Sequence, residues 1–160
     1  GDKVWGAYHV TIDKAAKRVL AGLFEKNTYE LMRKHKEENG DGLARKVRTD
    51  YDGRCSQSHS ATAFPTHGNR LFENWFVWKE IKLEFNETAF LLGFVPLSEF
   101  KGKNKFDKAQ KDDDNITLAE SRGIYTITEI APNVCTLTKI HTVDLKNRKL
   151  PDLAEEISLG

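Results

Sequence analysis

Between Arg70 and Glu80 the chain reads RLFENWFVWKE, and no other stretch restricts the fold so strongly. A strand places alternate side chains on opposite faces. Leu71, Glu73, Trp75 and Val77 then point one way, and Phe72, Asn74, Phe76 and Trp78 the other. Both sets are largely apolar, so the strand must be covered on both sides or belong to a sheet that curves around something. A solid aromatic core meets that demand without a ligand. A hollow between a curved sheet and a covering helix meets it too, and accepts an apolar molecule. The alternation does not say which set faces inward.

The segments around this strand supply the rest of a sheet. Val4 to Ile12 is β-prone, with Trp5, Tyr8, Val10 and Ile12 in partial alternation. Asp13 follows as an expected N-cap, and Ala16, Val19, Leu20, Leu23 and Phe24 then fall on one helical face. A second helix is expected over Tyr29 to Glu38, with Leu31, Met32 and His35 on one side and Gly40 as its stop. From Leu43 the pattern changes to strands and tight turns. Leu43 to Asp50 and Arg54 to Phe64 flank Asp52-Gly53, a hairpin signal. Asn86-Glu87 turns the aromatic strand into Ala89 to Val95, and Ala131-Pro132-Asn133 joins Gly123 to Ile130 with Val134 to Leu145. One strand, two helices and about six antiparallel strands make an α+β domain.

Composition limits the function. The 160 residues suffice for one domain with a single sizeable core, and a net charge of +1 gives no reason to expect a nucleic acid partner. No run of about 18 apolar residues spans a membrane, and Val4 to Val10 is too short and polar for a signal peptide. A cytoplasmic or membrane-adjacent location is therefore expected. Lys101 to Asn115, with lysines first and three aspartates last, reads as a solvated loop; a headgroup contact through its basic half is the alternative.

Enzyme signatures are missing: there is no phosphate-binding GxxxxGK[ST] loop, no HExxH helix and no GxSxG elbow. Cys55 and Cys135 lack metal-ligand spacing and read as reduced thiols. The five histidines are scattered, although His59 and His141 lie on expected strands and could meet across a sheet. Ser56, Ser58 and Ser60 share one face of their strand, either lining a cavity or facing water. No cofactor and no metal are expected.

Three stretches together resemble the START family, the StAR-related lipid-transfer domains of the helix-grip group. VWGAYHVTIDKAAKRVLAGLFEKNTYELM is similar to its opening strand and short helices. PTHGNRLFENWFVWKEI resembles its proline-containing loop and Arg-plus-aromatic strand, here with Arg70, Phe72 and Trp78-Lys79. RGIYTITEIAPNVCTLTKIHTVDLKNRKLP resembles its last hairpin and exit, with Asn147 where the family commonly has glycine. The resemblance implies a helix-grip fold over 1–160: a curved antiparallel sheet of about seven strands with short N-terminal helices and a gripped C-terminal helix. A start at Gly1 without methionine fits a domain cut from a longer protein. Only DLAEEISLG follows Pro151, which makes that helix short.

The resemblance also implies a function. The expectation is non-catalytic binding of a lipid or other hydrophobic small molecule between sheet and C-terminal helix, with transient membrane-surface contact. The residues expected to line the space are Trp75, Val77, Phe90, Leu92, Tyr125, Ile127 and Leu137. Arg70 is placed either near a head group or as a loop anchor. A degenerate START-like interaction module of a larger signalling protein is the alternative, and a helix-grip enzyme acting on a hydrophobic substrate is a third reading.

Overall fold

A computed structural model describes residues 3–25, 28–39, 46–50, 55–64, 68–99 and 116–146. Strand β1 (Lys3–Ile12) leads into helices α1 (Ala16–Glu25) and α2 (Tyr29–Glu38). Six strands follow: β2 (Lys46–Asp50), β3 (Cys55–Phe64), β4 (Gly68–Lys82), β5 (Thr88–Pro96), β6 (Ile116–Ala131) and β7 (Val134–Asp144). They form one sheet in the order β1-β7-β6-β5-β4-β3-β2. This is the expected α+β arrangement. The Asp52-Gly53 turn, the Lys101 to Asn115 segment and the expected C-terminal helix after Pro151 lie outside the described residues.

Both helices follow from local chemistry. In α1, Ala16, Val19, Leu20 and Phe24 recur at three- and four-residue spacing and are buried. Asp13 is not its cap. Strand β1 stays paired through Ile12, opposite Cys135, so three residues are spent turning off the sheet. The Ala15 carbonyl then accepts from the Arg18 and Val19 amides at 3.0 and 3.2 Å. Helix α2 has the bounds expected from its pattern. Thr28 caps its start by accepting from the Leu31 amide, and Asn39 closes its end by donating its side-chain amide to the His35 carbonyl at 2.8 Å.

The strand-to-strand connections are antiparallel, with one addition that alternation did not reveal. Strand β6 begins at Ile116, seven residues before the expected Gly123, and its first residues pair with Asn69 to Phe72 of β4 in parallel. Length explains this. Strand β5 has 9 residues against 15 in β4 and 16 in β6, and it ends at Pro96, which has no amide to extend a ladder. Beyond Pro96 the two longer strands close directly on each other. Each runs antiparallel to β5, so they must be parallel to one another.

The β4–β5 connection is a short 3-10 turn at Glu84–Asn86, with Phe85 and Asn86 both left-handed at φ 58° and 59°. The core sits on one face of the sheet, under α1. There Ala16, Val19, Leu20 and Phe24 pack with Phe76, Phe90, Leu92, Phe94, Tyr125, Ile127, Cys135 and Leu137. A second cluster, Ala119 and Leu145 with Val4, Phe72 and Val143, lies toward the other end of the same face.

Candidate functional site

The register fixes which side chains share the face that α1 covers. Reading across β1, β7, β6, β5 and β4, one row is Val10, Leu137, Ile127, Phe90 and Glu80. The next is Tyr8, Lys139, Tyr125, Leu92 and Trp78, and the one after is Gly6, His141, Gly123, Phe94 and Phe76. We call this the helix face. The first turn of α1 meets it at the Phe90 end, where Ala15, Ala16 and Lys17 share a cleft of ≈ 310 Å³ with Glu80, Lys82, Thr88, Phe90 and Glu129.

The rows beyond carry a contiguous aromatic surface. Phe76 and Phe94 stack with ring centroids 5.3 Å apart, and Phe94 lies 5.7 Å from Tyr125 at a tilted angle. Trp78 meets Phe90 edge-on at 6.3 Å. Such pairs contribute roughly 0.5–1.5 kcal/mol each beyond simple area burial.

Five of the expected lining residues come together here: Phe90, Leu92, Tyr125, Ile127 and Leu137 are all buried on the helix face. Two do not join them. Trp75 pairs with Val95 and Val77 with Gly93, which puts both on the outer face, so Phe76 and Trp78 occupy the places assigned to them. Alternation could not decide this, because each set is mostly apolar. Arg70 has helix-face phase and is buried, and its Nε donates to the Leu145 carbonyl at 2.6 Å. This bond ties β4 to the end of β7. Just beyond, the Asp144 carboxylate accepts from the Lys146 amide at 2.9 Å, and Lys146 is the left-handed residue at φ 56°. Asn147, expected in that conformation, lies outside the described residues.

His59 and His141 do not meet: β4, β5 and β6 separate their strands. The side chains of Ser56, Ser58, Ser60 and His59, and all of His67, lie outside the described residues. Cys55 and Cys135 are not joined to each other in a disulfide. Among the described residues no group of His, Cys, Asp and Glu is placed to hold a metal ion, and no helix is long and apolar enough to cross a membrane.

Neither Lys139 nor His141 was among the residues expected to line the space. Lys139 is half-buried in the aromatic row, with Nζ 5.1 Å from the Tyr125 ring centroid and 5.9 Å from that of Phe94. Burial lowers its pKa. His141 is held below the usual imidazole range, first by burial and then by the charge of Lys139, and its Nδ1 is buried without a hydrogen-bond partner among the described residues. Glycines on both sides make room for it. A Cβ on Gly6 would stand 3.0 Å from His141 Cε1, and one on Gly123 would stand 2.8 Å from both His141 Cβ and Phe94 Cζ. The signal was present in the sequence: Lys139 and His141 are in phase with Leu137, which was already expected to face inward.

The outer face is different. Val77, Gly93, Ile124, Ile140 and Ala7 form a row across five strands, with Val77, Ile124 and Ile140 each exposed. A shallow apolar cleft of ≈ 290 Å³ opens beside it, lined by Trp75, Val77, Gly93, Phe94, Val95, Gly123 and Ile124.

No protein-family model matches the sequence, and no curated protein matches it either. Solved structures do. The chain superposes on the human StarD13 lipid transfer and protein localization domain with a TM-score of 0.64 at 16% identity, covering 94% of this chain and 68% of that one. Against human STARD10 the TM-score is 0.63 at 13% identity, over 96% of this chain and 56% of the other. A fragment of a STAR-related lipid transfer protein from Xanthomonas axonopodis gives 0.57 at 14% identity, over 85% of this chain and 67% of that one. The chain therefore spans little more than half to two thirds of the structures it resembles. In fold, the chain is a START-like domain.

Proposed function

We propose that this protein binds a lipid or another hydrophobic small molecule against the helix face of its sheet, without catalysing a reaction. One observation carries the reading: the surface of Phe76, Trp78, Phe94, Tyr125 and Leu92, continuous across three strands beyond the first turn of α1. Burial of ligand methylenes against such a surface contributes about 0.8 kcal/mol each. The likeness to structures named for lipid transfer supports the same reading. Phe90, Leu92, Tyr125, Ile127 and Leu137 belong to the proposed lining, joined by Phe76, Trp78 and Phe94. A cytoplasmic location with transient membrane-surface contact accompanies it, and cell fractionation checks that part.

The direct test uses a neutral fluorescent probe, N-phenyl-1-naphthylamine, with native mass spectrometry of the purified chain. Saturable one-to-one binding that a charge at Phe94 (Phe94→Lys) removes supports the reading. No saturable binding and no co-purifying hydrophobic molecule would sink it.

The outer-face row favours a second reading, a START-like module used for contact between protein chains. Val77, Ile124 and Ile140 expose apolar surface side by side where a sheet facing water usually shows polar residues. Sedimentation velocity over a wide concentration range tests it. Self-association abolished by Ile140→Lys supports the reading, and a monomer throughout counts against it.

A further inference from the structure

In the two helix-face rows that run from Tyr8 to Trp78 and from Gly6 to Phe76, Lys139 and His141 interrupt an otherwise apolar and aromatic surface. Lys139 sits in mid-strand between Tyr8 of β1 and Tyr125 of β6, its direct partners in the register. Its ammonium lies against two aromatic rings, and these are its contacts; no carboxylate pairs with it among the described residues. The acids of the same strands are elsewhere. Glu129 stands two rows away, opposite Cys135, while Asp144 and Glu120 are committed to Lys146 and Arg122. A half-buried ammonium without a counter-charge is costly to keep, because ring faces replace only part of the hydration it loses.

His141 repeats the pattern two residues on. It shares the face, its Nδ1 has no partner among the described residues, and its ring lies against Gly6, where a Cβ would stand 3.0 Å from Cε1. Phe94 is near both groups, since it contacts the Lys139 ammonium and its ring edge crowds Gly123 beside His141. A cation and an imidazole side by side, with aromatic rings around them, form a polar end to an otherwise apolar surface.

We infer that the ligand is an acidic amphiphile, an apolar tail bearing one oxyanion, and that Lys139 with His141 receives the anionic group while the tail lies along Phe94, Phe76 and Trp78. This rests on the hydrophobic-binding reading above and narrows its ligand class. A charge-assisted hydrogen bond in a partly dry site is stronger than a neutral one and distinguishes a charged from an uncharged head. A free small anion lacks the tail and gains little from the site.

The experiment compares cis-parinaric acid with its methyl ester, two probes of equal tail and different head, with sodium acetate as the tailless control. The acid is expected to bind the unmodified protein on the order of tenfold more tightly than the ester. Acetate at millimolar concentration should not displace it. Lys139→Met is expected to erase the preference between acid and ester. Equal binding of acid and ester overturns the inference and leaves hydrophobic binding standing. Displacement by acetate also overturns it, by showing a simple anion site. Binding of neither probe overturns both readings together. The acid–ester comparison needs no variant, so a misfolded Lys139→Met leaves the test intact.

Discussion

The Nε of Arg70 donates a 2.6 Å hydrogen bond to the backbone carbonyl of Leu145, 75 residues further along the chain. Both residues are buried, so neither group has water as a substitute. The bond fastens the middle of the sheet to the point where β7 ends.

Replacing that arginine should therefore destabilise the protein rather than alter ligand preference. Arg70→Met leaves the Leu145 carbonyl without this donor, at a cost of about 1.5–3 kcal/mol. Urea denaturation measures it. Unchanged stability together with lost probe binding would assign Arg70 to the ligand instead.

Two glycines in neighbouring strands should respond in opposite ways. An alanine at Gly123 meets the Ile140 carbonyl oxygen at 2.5 Å, with His141 Cβ and Phe94 Cζ at 2.8 Å. Backbone cannot give way cheaply, and Gly123→Ala is expected to cost about 1–3 kcal/mol. Gly93 has nothing within 4 Å of the same position. Gly93→Ala should be neutral or stabilising by roughly 0.5 kcal/mol, as the chain loses less entropy on folding. Thermal melts of the two variants decide the comparison.

Lys139 should weaken the fold it belongs to. Burial lowers its pKa relative to an unfolded lysine. A base shifted in that direction costs stability below its folded pKa, and the cost disappears as pH rises through the unfolded value of about 10.4. Lys139→Met should accordingly be more stable than the unmodified protein at pH 7, with the gap narrowing above pH 10. Urea midpoints at both pH values test the sign; a destabilised variant at pH 7 would refute it.

Asp144 works in the other direction. Burial alone pushes its carboxyl up, but the Lys146 amide and ammonium together outweigh burial and hold it below the usual carboxylate range. Its contribution is complete above the unfolded pKa of about 3.9 and is lost as pH falls through the lower folded value. Asp144→Asn should lose stability at pH 6 and respond less than the unmodified protein to acid below pH 4, as followed by circular dichroism.

Much of the architecture could be read from the residues because the local signals were strong. The spacing of Ala16, Val19, Leu20 and Phe24 defined a helix, and the bounds of α2 follow from Thr28 and Asn39 at its ends. The inward direction of β4 was not readable, since Trp75 and Phe76 are both buried on opposite faces. Nor was the early start of β6, because Ile116 to Glu120 pairs with a strand two places away in the sheet, a contact that no local pattern encodes. At the candidate site Phe90, Leu92, Tyr125, Ile127 and Leu137 were legible, whereas Phe76, Trp78 and Phe94 were not, and the residue type of Lys139 did not mark it. Its phase with Leu137 outweighs its residue type.

The direct pairing of β4 with β6 has a consequence for how the molecule comes apart. Strands β4, β5 and β6 are each hydrogen-bonded to the other two, so β5 cannot leave without breaking ladders on both sides. Among the described residues the sheet's two ends, β1 and β2, each have one neighbour. Amide exchange should therefore proceed inward from the margins, with Leu92 and Ile127 the last to open. The aromatic surface and its lysine rest partly on the slowest-opening unit of the chain, which would keep its geometry while the edges breathe.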